Sequence, residues 1–199
     1  MRNLVLAISV GLLAPLIFSC GSPSAPVEQT HFTRADSLTD RYLSLYDSIH
    51  KIWNVMINDD NQKIEAMQHL LHEVNVSQPD SNLRSLESRI NQLMRMRYTQ
   101  KSMANRDVIS EYDIATDAML DELLSNVQSR REYSYNKTLQ KLVNDIHVAN
   151  ERLVDHRFLY DSVVWSYNKF IEANQEFLRK TDETLKLEKK PTFRMASDQ

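Results

Sequence analysis

The sequence predicts an all-α chain, an up-and-down antiparallel bundle of three to four long helices, and three observations carry that prediction. Apolar residues recur at alternating steps of three and four along most of the chain, the spacing that lays a seam on one helix face. Only two glycines occur, Gly11 and Gly21, and both precede Ser22. Between Val27 and Lys190 the only proline is Pro79, so little interrupts a helix. A length of 199 residues is enough for one domain with a core of its own.

Composition excludes several function classes. With Lys+Arg 24 against Asp+Glu 27 the formal charge is -3, which gives no electrostatic case for nucleic acid. Without glycine beyond Gly21 there is no phosphate-cradling loop, dinucleotide fingerprint or nucleophile elbow. The expectation is a chain without catalysis and without a cofactor.

Residues 1–19 have the order of a lipoprotein signal peptide: a basic start at Arg2, an apolar run from Leu4 to Phe18, and a small residue before Cys20. That run is shorter than the roughly 20 residues a bilayer span needs. Ile17-Phe18-Ser19-Cys20 resembles a bacterial lipobox, which implies that Cys20 becomes the mature first residue and carries acyl chains such as palmitate. Cys20 is the one cysteine, so an exported chain has no intramolecular disulfide to form. More than one acyl chain holds a protein stably on a bilayer, and the bilayer is therefore the first expected partner. Residues 20–35 read as a polar, proline-bearing tether. No acidic cluster of the kind that accompanies surface display follows Cys20, which favours a chain facing the periplasm.

The bundle is expected over 36–182, with a C-terminal tail over 183–199. The first helix shows Leu38, Tyr42, Leu45, Ile49, Ile52 and Met56 in register, with Asp36 or Ser37 to cap it. Asn58-Asp59-Asp60-Asn61-Gln62 interrupts the seam, which resumes one residue out of step at Ile64, Met67, Leu71 and Val74. That interruption predicts either a kink or a wet layer within one long helix. Ser77-Gln78-Pro79-Asp80 ends the element, and Asp80 can cap the next.

Residues 84–106 carry six basic side chains against Glu87, a net of +5, and 107–122 carry six acidic ones with no Lys or Arg, a net of -6. A helix boundary near Asn105 suits this, because cations favour a helix C-terminus and carboxylates the next N-terminus. One long helix whose halves meet different neighbours is the other reading. The basic run is read chiefly as a solvated face.

The last helix is expected over roughly Ser134 to Thr181. Its seam runs through Leu139, Leu142, Ile146, Ala149, Leu153, His156, Tyr160, Val163, Tyr167, Phe170, Asn174 and Phe177, widened by Val143, Val164, Ile171 and Leu178. His156 is a polar seam position that fixes register if a Tyr or Asn of a neighbouring helix meets it. Tyr160 and Tyr167, with Tyr42 and Tyr46, read as interlayer packing.

Asn150-Glu151-Arg152-Leu153 followed by Tyr160-Asp161-Ser162-Val163-Val164-Trp165-Ser166-Tyr167-Asn168 resembles the C-terminal part of the LemA family. The matching positions are Arg152, Tyr160, Val164, Tyr167 and Asn168. Lys190-Pro191-Thr192-Phe193 is similar to a shortened form of that family's closing Lys-Pro-x-x-Phe element, and Trp53 matches an early Ala-Trp. Arg131-Glu132-Tyr133-Ser134 stands where the family has Tyr-Pro-Asp-Leu, and the stretch near Gln68 to Leu71 lacks the family's proline. The resemblance implies a membrane-attached, long-helix antiparallel bundle with no established enzymatic activity, and the lipid anchor takes the place of the family's N-terminal transmembrane helix.

The functional expectation is a lipid-tethered scaffold or adaptor of the bacterial cell envelope with an envelope protein as partner. One alternative is a metal-binding protein or metal-dependent enzyme using Glu65, His69 and His72, because residues three and four apart share a helix face. Another is a small-ligand sensor with a cavity around His156.

Overall fold

The computed structural model describes residues 33–77 and 81–193. The signal segment, Cys20, most of the tether, and Pro79 with the expected Asp80 cap lie outside them. Among the described residues there are four α-helices, two short 3-10 turns and no strand, so the chain is an all-α bundle.

Helix α1 (Arg34–Ser77) is about 66 Å long at 1.5 Å per residue. Its cap lies upstream of the expected Asp36 or Ser37. The Thr33 N–H donates to the Asp36 carboxylate at 2.8 Å, and the Asp36 N–H donates to Thr33 Oγ1 at 3.2 Å. This reciprocal pair satisfies two backbone donors at once, which is why the helix begins at Arg34. Through 58–62 the helix continues unbroken, and the layer there is one of buried charges rather than a wet one, with Asp59, Asp60 and Lys63 all covered.

Helix α2 (Ser81–Met96) and helix α3 (Arg106–Gln128) flank a break at the place the charge segregation marks. A 3-10 turn at Ser102–Ala104 leads into it, and Asn105 caps α3 by accepting from the Asp107 N–H at 3.0 Å. A second 3-10 turn, Arg131–Ser134, precedes helix α4 (Lys137–Thr181). That helix starts later than Ser134 because Asn136 captures the Thr138 and Leu139 N–H groups at 3.0 and 3.2 Å.

The long helices α1 and α4 are antiparallel, with Tyr42 against Tyr167, Trp53 against Tyr160 and Asp59 against His156. Beyond Tyr160 the buried line of α4 passes through Val164, Ile171 and Leu178, while Val163, Phe170 and Phe177 are only partly buried. The seam drifts by one position because 3.6 residues per turn do not match a seven-residue repeat.

The core has two parts. In one, Met56 to Val74 of α1, Leu83 to Leu93 of α2, Tyr112 to Val127 of α3 and Leu139 to Leu153 of α4 form a four-helix section. In the other, Tyr42, Leu45 and Ile49 meet Tyr160, Val164, Tyr167, Ile171 and Leu178, and the chain beyond α4 folds back over them. Two helices alone leave such a core open on its sides, and Leu185, Leu187 and Phe193 cover one. Among the described residues no helix is long and apolar enough to cross a membrane.

Candidate functional site

Two polar constructions occupy the middle of the α1–α4 pair. The first is a charged layer built from the interruption in the α1 seam. Asp59, Asp60 and Lys63 are all buried, at 4%, 1% and 2% exposure. Asp59 meets His156 Nδ1 at 2.7 Å and Arg152 at 3.4 Å. Asp60 lies 3.3 Å from both Lys63 Nζ and Arg97, and accepts from the Tyr112 hydroxyl. Lys63 also donates to Asn150 at 3.4 Å, Arg97 to Asn61 at 2.6 Å, and Arg152 to Gln62 at 2.8 Å.

Asp59 Oδ2 and Asp60 Oδ1 make no well-directed hydrogen bond, and the Arg152 guanidinium beside Asp59 and the Lys63 ammonium beside Asp60 are the charges that compensate their burial. Burial, then the negative charge of Asp60, pushes the Tyr112 phenol well above its ordinary value, so it stays a donor. His156 therefore has a partner, but it is a carboxylate and not the Tyr or Asn the seam led us to expect.

The second construction is an aromatic box with a cation in it. Trp53 of α1, Tyr98 before the 3-10 turn, Tyr112 of α3, Tyr160 of α4 and Phe193 of the tail stand edge to face or tilted, with centroids 5.4–6.0 Å apart. The Arg157 guanidinium lies 5.4 Å from the Tyr98 ring centre and 4.9 Å from that of Phe193. Asp113 holds it with both carboxylate oxygens at 2.8 and 2.7 Å, and it donates to the Tyr98 hydroxyl at 2.9 Å. Burial works against the Arg157 charge, but the Asp113 hydrogen bonds outweigh it and the guanidinium stays protonated. Burial raises Tyr98 to about 12 despite Arg157, so it too is neutral near pH 7.

The tail completes the box. Asp182 accepts from the Thr184 N–H and hydroxyl at 2.8 and 2.7 Å, just beyond the end of α4. Tyr42 and Tyr167 then both donate to the Lys186 carbonyl, at 3.1 and 3.3 Å. The Asn168 side chain pairs with both main-chain atoms of Lys190, donating to its carbonyl and accepting from its N–H at 2.8 Å each. Asp161 accepts from the Phe193 N–H at 2.8 Å. The expected tail over 183–199 is thus, as far as Phe193, a strap packed on the bundle.

The residues singled out in the sequence divide among these places. Arg152 joins the charged layer; Tyr160, Tyr167 and Asn168 form the strap groove, and Val164 is its buried floor. Glu65 and His69 line a groove between α1 and α4 with Asp145 and Arg152, whereas His72 lines a different one, between α1 and α2, with Gln68 and Glu87. Among the described residues no group of three or more His, Cys, Asp or Glu is placed to hold a metal ion. Arg157, Asp161, Asp113 and Tyr98 carried no signal in the sequence, because single charged or aromatic residues outside a seam look like solvated surface. Phe193 did carry one, as the end of Lys190-Pro191-Thr192-Phe193. No protein-family model, no curated protein and no solved structure matches this chain.

Proposed function

We propose that the chain is a LemA-like, lipid-tethered helical adaptor of the bacterial cell envelope, attached through acylated Cys20, facing the periplasm and acting by binding and not by catalysis. The Ile17-Phe18-Ser19-Cys20 pattern supports the attachment, and Arg152, Tyr160, Val164, Tyr167 and Asn168 support the kinship. The observation that carries the adaptor reading is a run of exposed apolar side chains on α4. Val154, Phe158, Leu159 and Trp165 are 47%, 49%, 50% and 59% exposed, and Val148 on the same helix is 41% exposed. Exposed apolar residues grouped on one element mark interaction surfaces more often than singly scattered ones do.

A photo-crosslinking residue at position 165, with a second at 85 on the exposed polar surface of α2 as control, tests the reading in intact envelopes. The adaptor reading predicts a discrete crosslinked partner from 165 and none from 85. Repeated absence of any product from 165, with the protein present in the membrane fraction, contradicts it.

A further inference from the structure

The strap is held in the way a peptide ligand is held. Five hydrogen bonds fix its path, and each one uses a main-chain atom of the strap against a side chain of α1 or α4. Lys186 and Lys190 give their carbonyls, Lys190 and Phe193 their N–H groups. Side-chain amides that grip both polar atoms of one residue read an extended backbone whatever its sequence. Sequence enters through Leu185 and Leu187, which pack on the α1–α4 core, and most selectively at two further points. The Phe193 ring fills the box between Tyr98, Tyr160 and Arg157, and the Lys190 ammonium lies 5.6 Å from the Tyr46 ring centre. Pro191, between them, restricts the backbone to extended conformations and leaves less freedom to lose on docking.

The strap is also lightly held. From Asp182 to Phe193 every residue is partly or fully exposed, none reaching the burial of the helices it covers. Among the described residues its one side-chain ion pair, Lys189 with Glu172, has both partners more than half exposed and contributes little. Most of what lies beneath the strap belongs to α1 and α4: Tyr42, Tyr167 and Asn168 face its main chain, with Asp161 and the Tyr98, Tyr160 and Arg157 side chains at the Phe193 end.

We propose that the α1–α4 groove is a docking site for an extended segment of a partner protein with a basic residue, a proline and, three residues after the basic one, an aromatic side chain. Residues 185–193 are the resident ligand, occupying the groove in cis until such a segment displaces them. The inference deepens the adaptor reading by naming the partner's chemistry, and it rests on that reading only for the partner being an envelope protein. Binding is read in solution, so it can fail while membrane attachment stands.

The test uses a fluorescent peptide with the sequence of residues 186–193 and fluorescence anisotropy against the purified full chain. In the wild type the cis strap competes. Phe193→Ala loosens it, and the variant is expected to bind the peptide roughly tenfold more tightly than the wild type, the change one aromatic anchor produces. Adding Asn168→Ala should abolish the gain, as should a peptide with alanine in place of its phenylalanine. Circular dichroism monitors the helices throughout.

If Phe193→Ala does not fold, a protease site between Asp182 and Leu185 severs the strap with all its residues present, and the labelled peptide should then take its place. Peptide binding equal in wild type and opened protein, or unaffected by loss of the phenylalanine, overturns the proposal. So does a dimer in light scattering that the peptide converts to monomer, because a second copy is then the groove's occupant.

Discussion

Asp60→Ala removes the acceptor that the charged layer depends on most. At 1% exposure Asp60 faces Lys63 at 3.3 Å, Arg97 at 3.3 Å and the Tyr112 hydroxyl. Once it is gone, the Lys63 ammonium, itself 2% exposed, keeps only Asn150 at 3.4 Å. Arg97 retains Asn61 at 2.6 Å and some access to water, so Lys63 bears most of the loss. Breaking a buried pair on one side leaves an uncompensated charge and costs about 3–5 kcal/mol. At about 2–4 °C per kcal/mol for a unit of this size, the melting temperature should fall by about 10 °C.

An exposed pair sets the contrast: removing Lys141, whose partner is Asp145 on the α4 surface, should change stability by less than about 0.5 kcal/mol. The double variant Asp60→Leu/Lys63→Met removes the buried ammonium as well and should recover part of the loss, the remainder being the Tyr112 hydroxyl and Arg97, which still lack their carboxylate. Urea unfolding followed by circular dichroism at 222 nm reads all three. A single Asp60→Ala variant within about 1 kcal/mol of wild type, or a double variant as unstable as the single, refutes the ion-paired layer.

Asn136→Ala should cost about 1 kcal/mol in the same assay, since it frees two N–H groups at the start of α4; no measurable loss contradicts the cap. Raising pH should unfold the protein through its tyrosines. Tyr98 keeps its proton to about 12 in the folded chain, and Tyr112, Tyr160 and Tyr167 are also pushed up by burial. Their contribution is complete below the unfolded value near 10 and is lost as pH rises above it, at about 1.4 kcal/mol per pH unit for Tyr98 alone. Absorbance at 295 nm should show these phenolates appearing together with helix loss. Ionisation of all eight tyrosines by about pH 10.5 with helices intact contradicts the burial. Because His69 and His72 line separate grooves, the wild type and His69→Ala should hold equal metal by elemental analysis, and a drop in the variant restores the metal reading.

The helices were legible because a chain without glycine beyond Gly21 has few ways to hide a heptad seam. The break at Asn105 could be read only through charge, since neither glycine nor proline marks it. The polar run at 58–62 announced a disturbance but not its form. Whether Asp59 and Asp60 are solvated at a kink or buried in a layer depends on Arg97, Arg152 and His156, which are far away in sequence. The strap was illegible for a different reason. Its hydrogen bonds run from helix side chains to its own main chain, so neither apolar period nor spacing betrays them. Asn168 and Tyr167 stood out by family likeness, but their role became visible only with Lys190 and Lys186 beside them. Arg157, a charged residue in the middle of α4, gave no hint that Asp113, Tyr98 and Phe193 would bury it.

The tether is the claim on which the adaptor reading depends most. Intact-mass and peptide mass spectrometry of the protein recovered from a bacterial membrane fraction addresses it directly. The mature chain should begin at Cys20 and be heavier than its residues by a diacylglyceryl group and a further acyl chain, with Cys20→Ser uncleaved and unmodified. A chain that keeps Met1 to Ser19, or one that begins elsewhere with Cys20 carrying no lipid, contradicts it.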